Sequence, residues 1–227
     1  VEPLSPTAPA IVEAYLGFDR LPALKAVLPL EADPVLKERE RQWGGLSLLR
    51  QPAGETLLAF ICSSNKQILQ IRAMLHQLAR AYGRPVPGTP FHRLPDWTEL
   101  AGVSEAGLRA CGLGYRAAHI AGTAAFLQRH GGFLESVAAM EPGAARGALQ
   151  QLPGVGPKVA ECVRLFGLGH CDAFPVDTWI ARRMAIHYPE LEGWPRDRIA
   201  TFARLHYGRA AGLAQQWLFA ERSKPPP

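Results

Sequence analysis

The sequence predicts an all-α fold, and three observations carry that reading. Apolar residues recur at helical spacing almost throughout the 227 residues, as in Ile68, Ile71, Leu75 and Leu78, then Ile120, Ala124 and Leu127, then Val159, Val163 and Phe166. Strand-like alternation is nearly absent, with one short extended candidate at Leu46 to Leu49. Breaks fall at Gly and Pro clusters: Gly83 to Pro90, Gly131-Gly132, Glu141-Pro142-Gly143, Pro153 to Pro157 and Tyr188 to Pro195. These leave about ten to twelve short helices joined by about 3 to 8 residues.

The length suits one sizeable core or two small lobes, and 48% hydrophobic with 20% charged residues is a globular balance that excludes fibres and disorder. No run approaches the roughly 18 apolar residues of a membrane span, and the opening segment Val1 to Ala10 lacks a basic start followed by an apolar run. An intracellular protein with no membrane partner is expected. Cys62, Cys111, Cys162 and Cys171 are too few and too dispersed for a disulfide framework, and no CxxC pair suggests zinc or redox work. They read as reduced thiols. The only low-complexity piece is the tail Pro225-Pro226-Pro227.

The net charge of +5 is uneven. Residues 1–62 hold six basic and eight acidic side chains, whereas 63–227 hold nineteen basic and twelve acidic. The second stretch therefore carries the positive excess, which suits either a polyanionic partner or an unspecialised basic surface. Lysines are scarce: Lys25, Lys37, Lys66, Lys158 and Lys224. Any lysine chemistry has few candidates.

The segment Leu152-Pro-Gly-Val-Gly-Pro-Lys158 separates a helical stretch ending near Gln151 from another running from Pro157 to about Leu168. Its glycines permit a tight helix-hairpin-helix turn, and Pro157 suits a first helical position, where its missing N–H costs nothing. Such a turn offers the backbone amides of Gly154, Val155 and Gly156 to a phosphate without reading a base. A plain αα-hairpin tightened by glycine is the alternative. Lys158 stands in the first turn of the second helix, where the dipole disfavours a cation, and a residue that breaks a local rule invites a functional reading. It is a candidate nucleophile, since a neutral amine attacks a carbon centre, or else a phosphate ligand or an exposed side chain.

Nineteen positions later, Asp177 precedes an amphipathic helix carrying Ile180, Met184 and Ile186. Helix capping explains an Asp there. A carboxylate held rigidly at a helix start also stabilises a developing oxocarbenium charge or assists proton transfer, and the two roles are compatible.

Together these motifs resemble the helix-hairpin-helix DNA glycosylase superfamily, most closely its 8-oxoguanine DNA glycosylase branch. The resemblance runs from about Tyr15 to Ser223, through Tyr15-Leu-Gly-Phe-Asp, Leu48-Leu-Arg-Gln, Phe60-Ile-Cys-Ser-Ser-Asn65, Leu113-Gly-Tyr-Arg116, Leu152 to Cys162, Pro175-Val-Asp177 and Ala214-Gln215 to Phe219. It implies two helical lobes around a cleft: 63–150 as one, and 1–62 with 151–227 as the other, carrying the hairpin at 152–158. It implies a monomeric, cofactor-free glycosylase and abasic-site lyase that flips an oxidised purine out of duplex DNA, displaces it with Lys158 and cleaves the strand by β-elimination. Asp177 would be the transition-state carboxylate.

Flipping demands a void-filler, a wedge and a pocket. The resemblance assigns Asn65 to the vacated space and the opposite cytosine; capping a helix Lys66 to Tyr82 is its structural alternative. Tyr115 would be the wedge, with packing on the core as its alternative, and Arg116 a donor to the estranged base. Cys162, one turn after Lys158, and Phe219 would sandwich the flipped base. Gln215 would read its Watson–Crick edge, with Pro175 beside the pocket. Ordinary packing explains a buried Cys and Phe but not a Gln on that face. Carbonyls of Gln150, Leu152 and Val155 would hold a monovalent cation.

The chain departs from the branch's eukaryotic pattern in three places. It begins where that pattern is past most of a β-rich N-terminal domain that helps recognise 8-oxoguanine. Gln70 stands where an arginine often reads the opposite cytosine, so weaker opposite-base selectivity is expected. Trp179 and Arg222 replace a His and an Asp flanking the active site. Two rivals stand beside this reading. A related oxidised-pyrimidine enzyme is disfavoured because no run of cluster cysteines follows Cys171, and a non-catalytic hairpin module would bind DNA without using Lys158. Heavy use of Ala, Arg, Gly and Pro suggests a GC-rich genome, and with no targeting segment read in the sequence a bacterial cytoplasm or nucleoid is expected.

Overall fold

The computed structural model describes residues 8–223. Lys224, the proline tail and most of Val1 to Ala10 lie outside the described residues. Fourteen α-helical segments and no strand are found among them, with one isolated bridge between Pro85 and His92. The fold is all-α, as the apolar periodicity predicts. The helices outnumber expectation because breaks such as Gly102 split continuous apolar stretches. The chain divides into two compact units, 1–51 with 164–227, and 52–163. Residues 52–62 and 151–163, which the sequence reading groups with the chain ends, pack instead with 63–150.

In the first unit α1 (Ala8–Leu16), α2 (Leu21–Lys25) and α3 (Pro34–Trp43) precede α12 (Thr178–His187), α13 (Arg196–Tyr207) and α14 (Ala211–Ala220). Helix α14 is central. Ala211, Leu213, Ala214, Trp217 and Leu218 have no exposed surface and pack with Leu36, Phe174, Ile180 and Met184. Removing a side chain the size of Leu or Phe from water contributes about 1.5–3 kcal/mol, so this cluster dominates the unit's stability. Ile186 is the exception to the expected stripe of α12. It is 61% exposed, because two residues after Met184 lies roughly 200° around the helix.

Leu46 to Leu49 does not pair as a strand. The Arg20 guanidinium donates to the carbonyls of Leu48 (2.9 Å) and Leu49 (3.2 Å), and the Arg50 amide donates to Tyr15 O (2.8 Å). Gly17, at φ +70°, lies so close beneath Leu48 O that a Cβ would collide with it. The extended stretch is therefore tied by a side chain and a turn, not by a ladder.

The second unit contains α4 (Ala53–Ser63), α5 (Ile68–Tyr82), α6 (Trp97–Ala101), α7 (Glu105–Leu108), α8 (Arg116–Arg129), α9 (Phe133–Ala138), α10 (Pro142–Leu149) and α11 (Pro157–Cys162). Leu57, Leu58, Ile61, Leu78, Leu100, Ile120 and Leu149 are at most 1% exposed and form its interior. The link 83–96 exceeds the expected loop length. It is held as a short hairpin by the Val86 amide to Phe91 O (2.9 Å) and the Arg93 amide to Arg84 O (3.0 Å). The helix expected from Pro157 to about Leu168 is α11 followed by a π turn, Val163–Gly167, where the chain passes from one unit to the other.

Candidate active site

The turn between α10 and α11 is built as its glycines require. Gly154 sits at φ +80° with its α-carbon against His119 of α8, where a Cβ would come within 2.7 Å of the histidine Cβ. Thr123, also on α8, donates to Pro153 O (2.9 Å). The Val155 amide donates to Leu152 O (3.1 Å), and the Ala160 amide to Gly156 O (3.0 Å) is the first helical bond. The amides of Lys158 and Val159 thus precede any intrahelical donor. Leu152 O, one of three candidate cation ligands, already accepts one hydrogen bond and keeps its second lone pair.

Lys158 occupies the second position of α11 and is half-buried. Its Nζ lies 4.8 Å from the centroid of the Phe60 ring on α4. The negative ring face attracts an ammonium and offsets part of the unfavourable helix dipole. Cys162, one turn on, is 3% exposed. Phe60 opens the Phe60-Ile-Cys-Ser-Ser-Asn65 motif but receives no role from sequence; only its helical spacing on α4 hints that it faces inward.

After α4 the chain turns through Asn65, the one non-glycine residue among those described with positive φ, at 52°. Asn tolerates the left-handed region better than most residues, which accounts for its use here. It is not the cap of the following helix. That helix starts later, at Ile68, and Gln67 and Gln70 form a capping box in which the Gln67 amide donates to Gln70 Oε1 (3.2 Å). The exposed side chain of Asn65 is left to other work. Arg116 is 3% exposed, and its two Nη atoms donate to Ser64 O and to Leu113 O (3.4 Å). Its guanidinium also lies 4.4 Å over the Tyr115 ring. One side chain therefore ties the Asn65 turn to the Tyr115 turn. Tyr115 is 49% exposed, with its ring edge-on to His119 at 5.7 Å, so it is not a core aromatic.

The remaining candidates belong to the other unit. Asp177 caps α12, its Oδ1 accepting the Ile180 amide at 2.8 Å, as the sequence predicts. Gln215 is 4% exposed and doubly held: Nε2 donates to Pro175 O (3.1 Å), and Oε1 accepts from Gln216 (2.6 Å). Phe219 is half-buried. Trp179 and Arg222, unexplained in the sequence, contact each other. The Arg222 guanidinium lies 5.6 Å from the Trp179 ring and 5.0 Å from that of Phe219, while Arg183 lies 5.6 Å from Trp179. A cation–π stack stands where the family pattern has His and Asp. Glu221 beside it is met by Arg39 (2.8 Å), Arg183 and His187 (2.8 Å), which anchors the end of α14 to α3 and α12.

A glycine-led hairpin that delivers a lysine to a helix start, in a unit whose neighbouring turns expose an asparagine and a tyrosine, is the framework of the helix-hairpin-helix DNA glycosylases. No family model matches the chain. A relative from Arabidopsis thaliana named N-glycosylase/DNA lyase OGG1 is 39% identical over 200 residues, 82% of this chain and 54% of its own length. The solved structure of MBOgg1 with a low-affinity DNA ligand matches at a TM-score of 0.86 and 33% identity, covering 94% of this chain and 74% of that one. The Clostridium acetobutylicum 8-oxoguanine glycosylase/lyase, solved with double-stranded DNA holding cytosine opposite 8-oxoG, matches at 0.86 and 28%, covering 95% and 75%. The chain belongs to the Ogg1 family of N-glycosylase/DNA lyases. It spans between 40% and 59% of the length of three curated relatives that it matches.

Proposed function

We propose that the chain is a bifunctional glycosylase and abasic-site lyase that removes 8-oxoguanine from duplex DNA. The observation that carries this reading is Lys158, presented half-buried at the start of α11 with its Nζ against Phe60. An amine fixed at a helix start behind a backbone-docking hairpin suits attack on a sugar carbon of a strand gripped by its phosphates.

Once its ammonium has given up a proton, the Lys158 amine adds to C1′ as the N-glycosidic bond breaks, and the departing purine takes the bond's electron pair and a proton. Asp177, whose carboxylate is fixed by the Ile180 amide, stabilises the cationic sugar that develops. Ring opening gives an imine between Nζ and C1′. Loss of a C2′ proton then expels the 3′ phosphate, cutting the strand by β-elimination, and hydrolysis of the imine returns the lysine. Cys162, Pro175 and Phe219 would contact the flipped base, and Gln215, already oriented by Pro175 and Gln216, would read its edge.

Asn65 and Tyr115 would occupy the gap in the duplex. Arg116, whose donors hold Ser64 and Leu113, would act on them chiefly by position. Gln70 is engaged in capping, which favours weak discrimination among C, T, G and A opposite the lesion. Amides at Gly154, Val155 and Gly156 would face the backbone, with any monovalent cation at the carbonyls of Gln150, Leu152 and Val155. The enzyme would work as a monomer on the bacterial nucleoid. No helix among the described residues is long and apolar enough to cross a membrane.

The test is product analysis on three end-labelled duplexes, holding 8-oxoguanine, thymine glycol or only normal bases. Release of free 8-oxoguanine with a β-elimination end supports the proposal. Activity on thymine glycol alone favours the pyrimidine reading, and salt-sensitive binding without cleavage of any duplex favours a binding module.

A further inference from the structure

The first turn of α5 leaves two large apolar side chains in solvent. Ile68 is 63% exposed and Leu69 74%, whereas Met74 and Leu78 further along the same helix are 4% and 0%. Neither serves the unit's core. They follow directly on the left-handed turn at Asn65, and every residue from Asn65 to Gln70 is exposed. The surrounding sequence is one-sided in charge: residues 56–95 contain Lys66, Arg72, Arg80, Arg84 and Arg93 and no acidic residue. Lys66 and Arg72, which flank the apolar pair, make no ion pair among the described residues.

An exposed apolar ridge framed by cations suits a surface that is itself polyanionic outside and apolar within, and duplex DNA meets that description. Apolar side chains that enter a minor groove unstack a base step, and the resulting bend lets more protein surface engage. We infer that Ile68 and Leu69 form an apolar wedge against the minor groove of the strand opposite the flipped nucleotide, with Lys66 and Arg72 on its flanking phosphates. The inference rests on reading the chain as a glycosylase of duplex DNA. It adds a second insertion beside the one assigned to Asn65 and Tyr115. The wedge holds open a step whose flipping costs a few kcal/mol.

The probe is a fluorescent duplex containing a tetrahydrofuran abasic analogue opposite cytosine, titrated by anisotropy over a salt series. The double variant Ile68→Ser with Leu69→Ser should bind about tenfold more weakly with an unchanged salt slope, since apolar contact but no phosphate contact is lost. Leu69→Met should retain wild-type affinity. Lys66→Gln should flatten the slope by roughly one unit. Wild-type affinity in the double-serine variant overturns the inference. So does a wild-type dimer in sedimentation that the serines abolish without changing DNA affinity, since the ridge would then serve a second copy of the chain. If the wild type binds the duplex but cuts no lesion, the glycosylase reading fails, while the affinity of the serine variant still decides the wedge.

Discussion

The ammonium of Lys158 lies 4.8 Å from the centroid of the Phe60 ring. A cation over a ring face gains about 0.5–2 kcal/mol, most where water is excluded, and the pair fixes Nζ at the start of α11. Phe60→Leu keeps an apolar side chain but loses that attraction. By loosening the placement of Nζ it should slow imine formation on a preformed abasic duplex several-fold in single-turnover trapping, while Phe60→Tyr stays near wild type. An unchanged rate in Phe60→Leu would show that the ring only packs.

Glu221 is the anchor of α14. Its carboxylate is about 5% exposed and is shared by Arg39, Arg183 and His187. Glu221→Gln leaves the Arg39 and Arg183 guanidiniums without their counter-ion. Breaking such a buried pair costs about 3–5 kcal/mol. Differential scanning calorimetry should show Tm falling by roughly 6–20 °C, at about 2–4 °C per kcal/mol for a chain of this size. A loss under 2 °C would mean that the cluster is structurally idle.

Asp33 gives the fold an acid limit. Burial pushes its carboxyl up, but the Leu36 amide (2.9 Å), the Tyr188 hydroxyl (2.7 Å) and the His206 ring (2.8 Å) together outweigh burial and hold it below its ordinary 3.8. Because the folded carboxyl titrates below the unfolded one, its stabilisation is whole above that value and is lost as pH falls through the lower folded pKa. Asp33→Asn should melt lower than wild type at pH 7. The gap should narrow as melts are repeated from pH 5 down to pH 3. A gap constant with pH would assign the stability to shape alone.

The parts of the site that sequence makes legible are those whose chemistry is local. Asp177 reads as a cap because capping needs only the next three residues, and the Gly154 turn reads from glycine spacing. The cap of α5 is misplaced by two residues because Asn65, Gln67 and Gln70 all suit helix starts, and only the left-handed backbone at Asn65 separates them. The π turn after Cys162 and the lobe boundaries depend on packing that periodicity does not carry. Phe60 beneath Lys158, Arg222 on Trp179 and the four-residue cluster at Glu221 join positions 34 to 182 residues apart. No short motif announces such pairs. Ile68 shows the converse limit: it fits the apolar stripe of α5 in sequence, yet lies one turn beyond what the core covers.

Borohydride trapping on a duplex with one 8-oxoguanine opposite cytosine tests the central claim most directly, run beside Lys158→Gln and an undamaged duplex. The wild type should form a covalent adduct on the damaged duplex alone. Lys158→Gln should form none while binding an abasic-analogue duplex with wild-type affinity. An adduct that persists in Lys158→Gln would contradict Lys158 as the nucleophile, and the absence of any adduct with 8-oxoguanine or abasic DNA would contradict Schiff-base chemistry altogether.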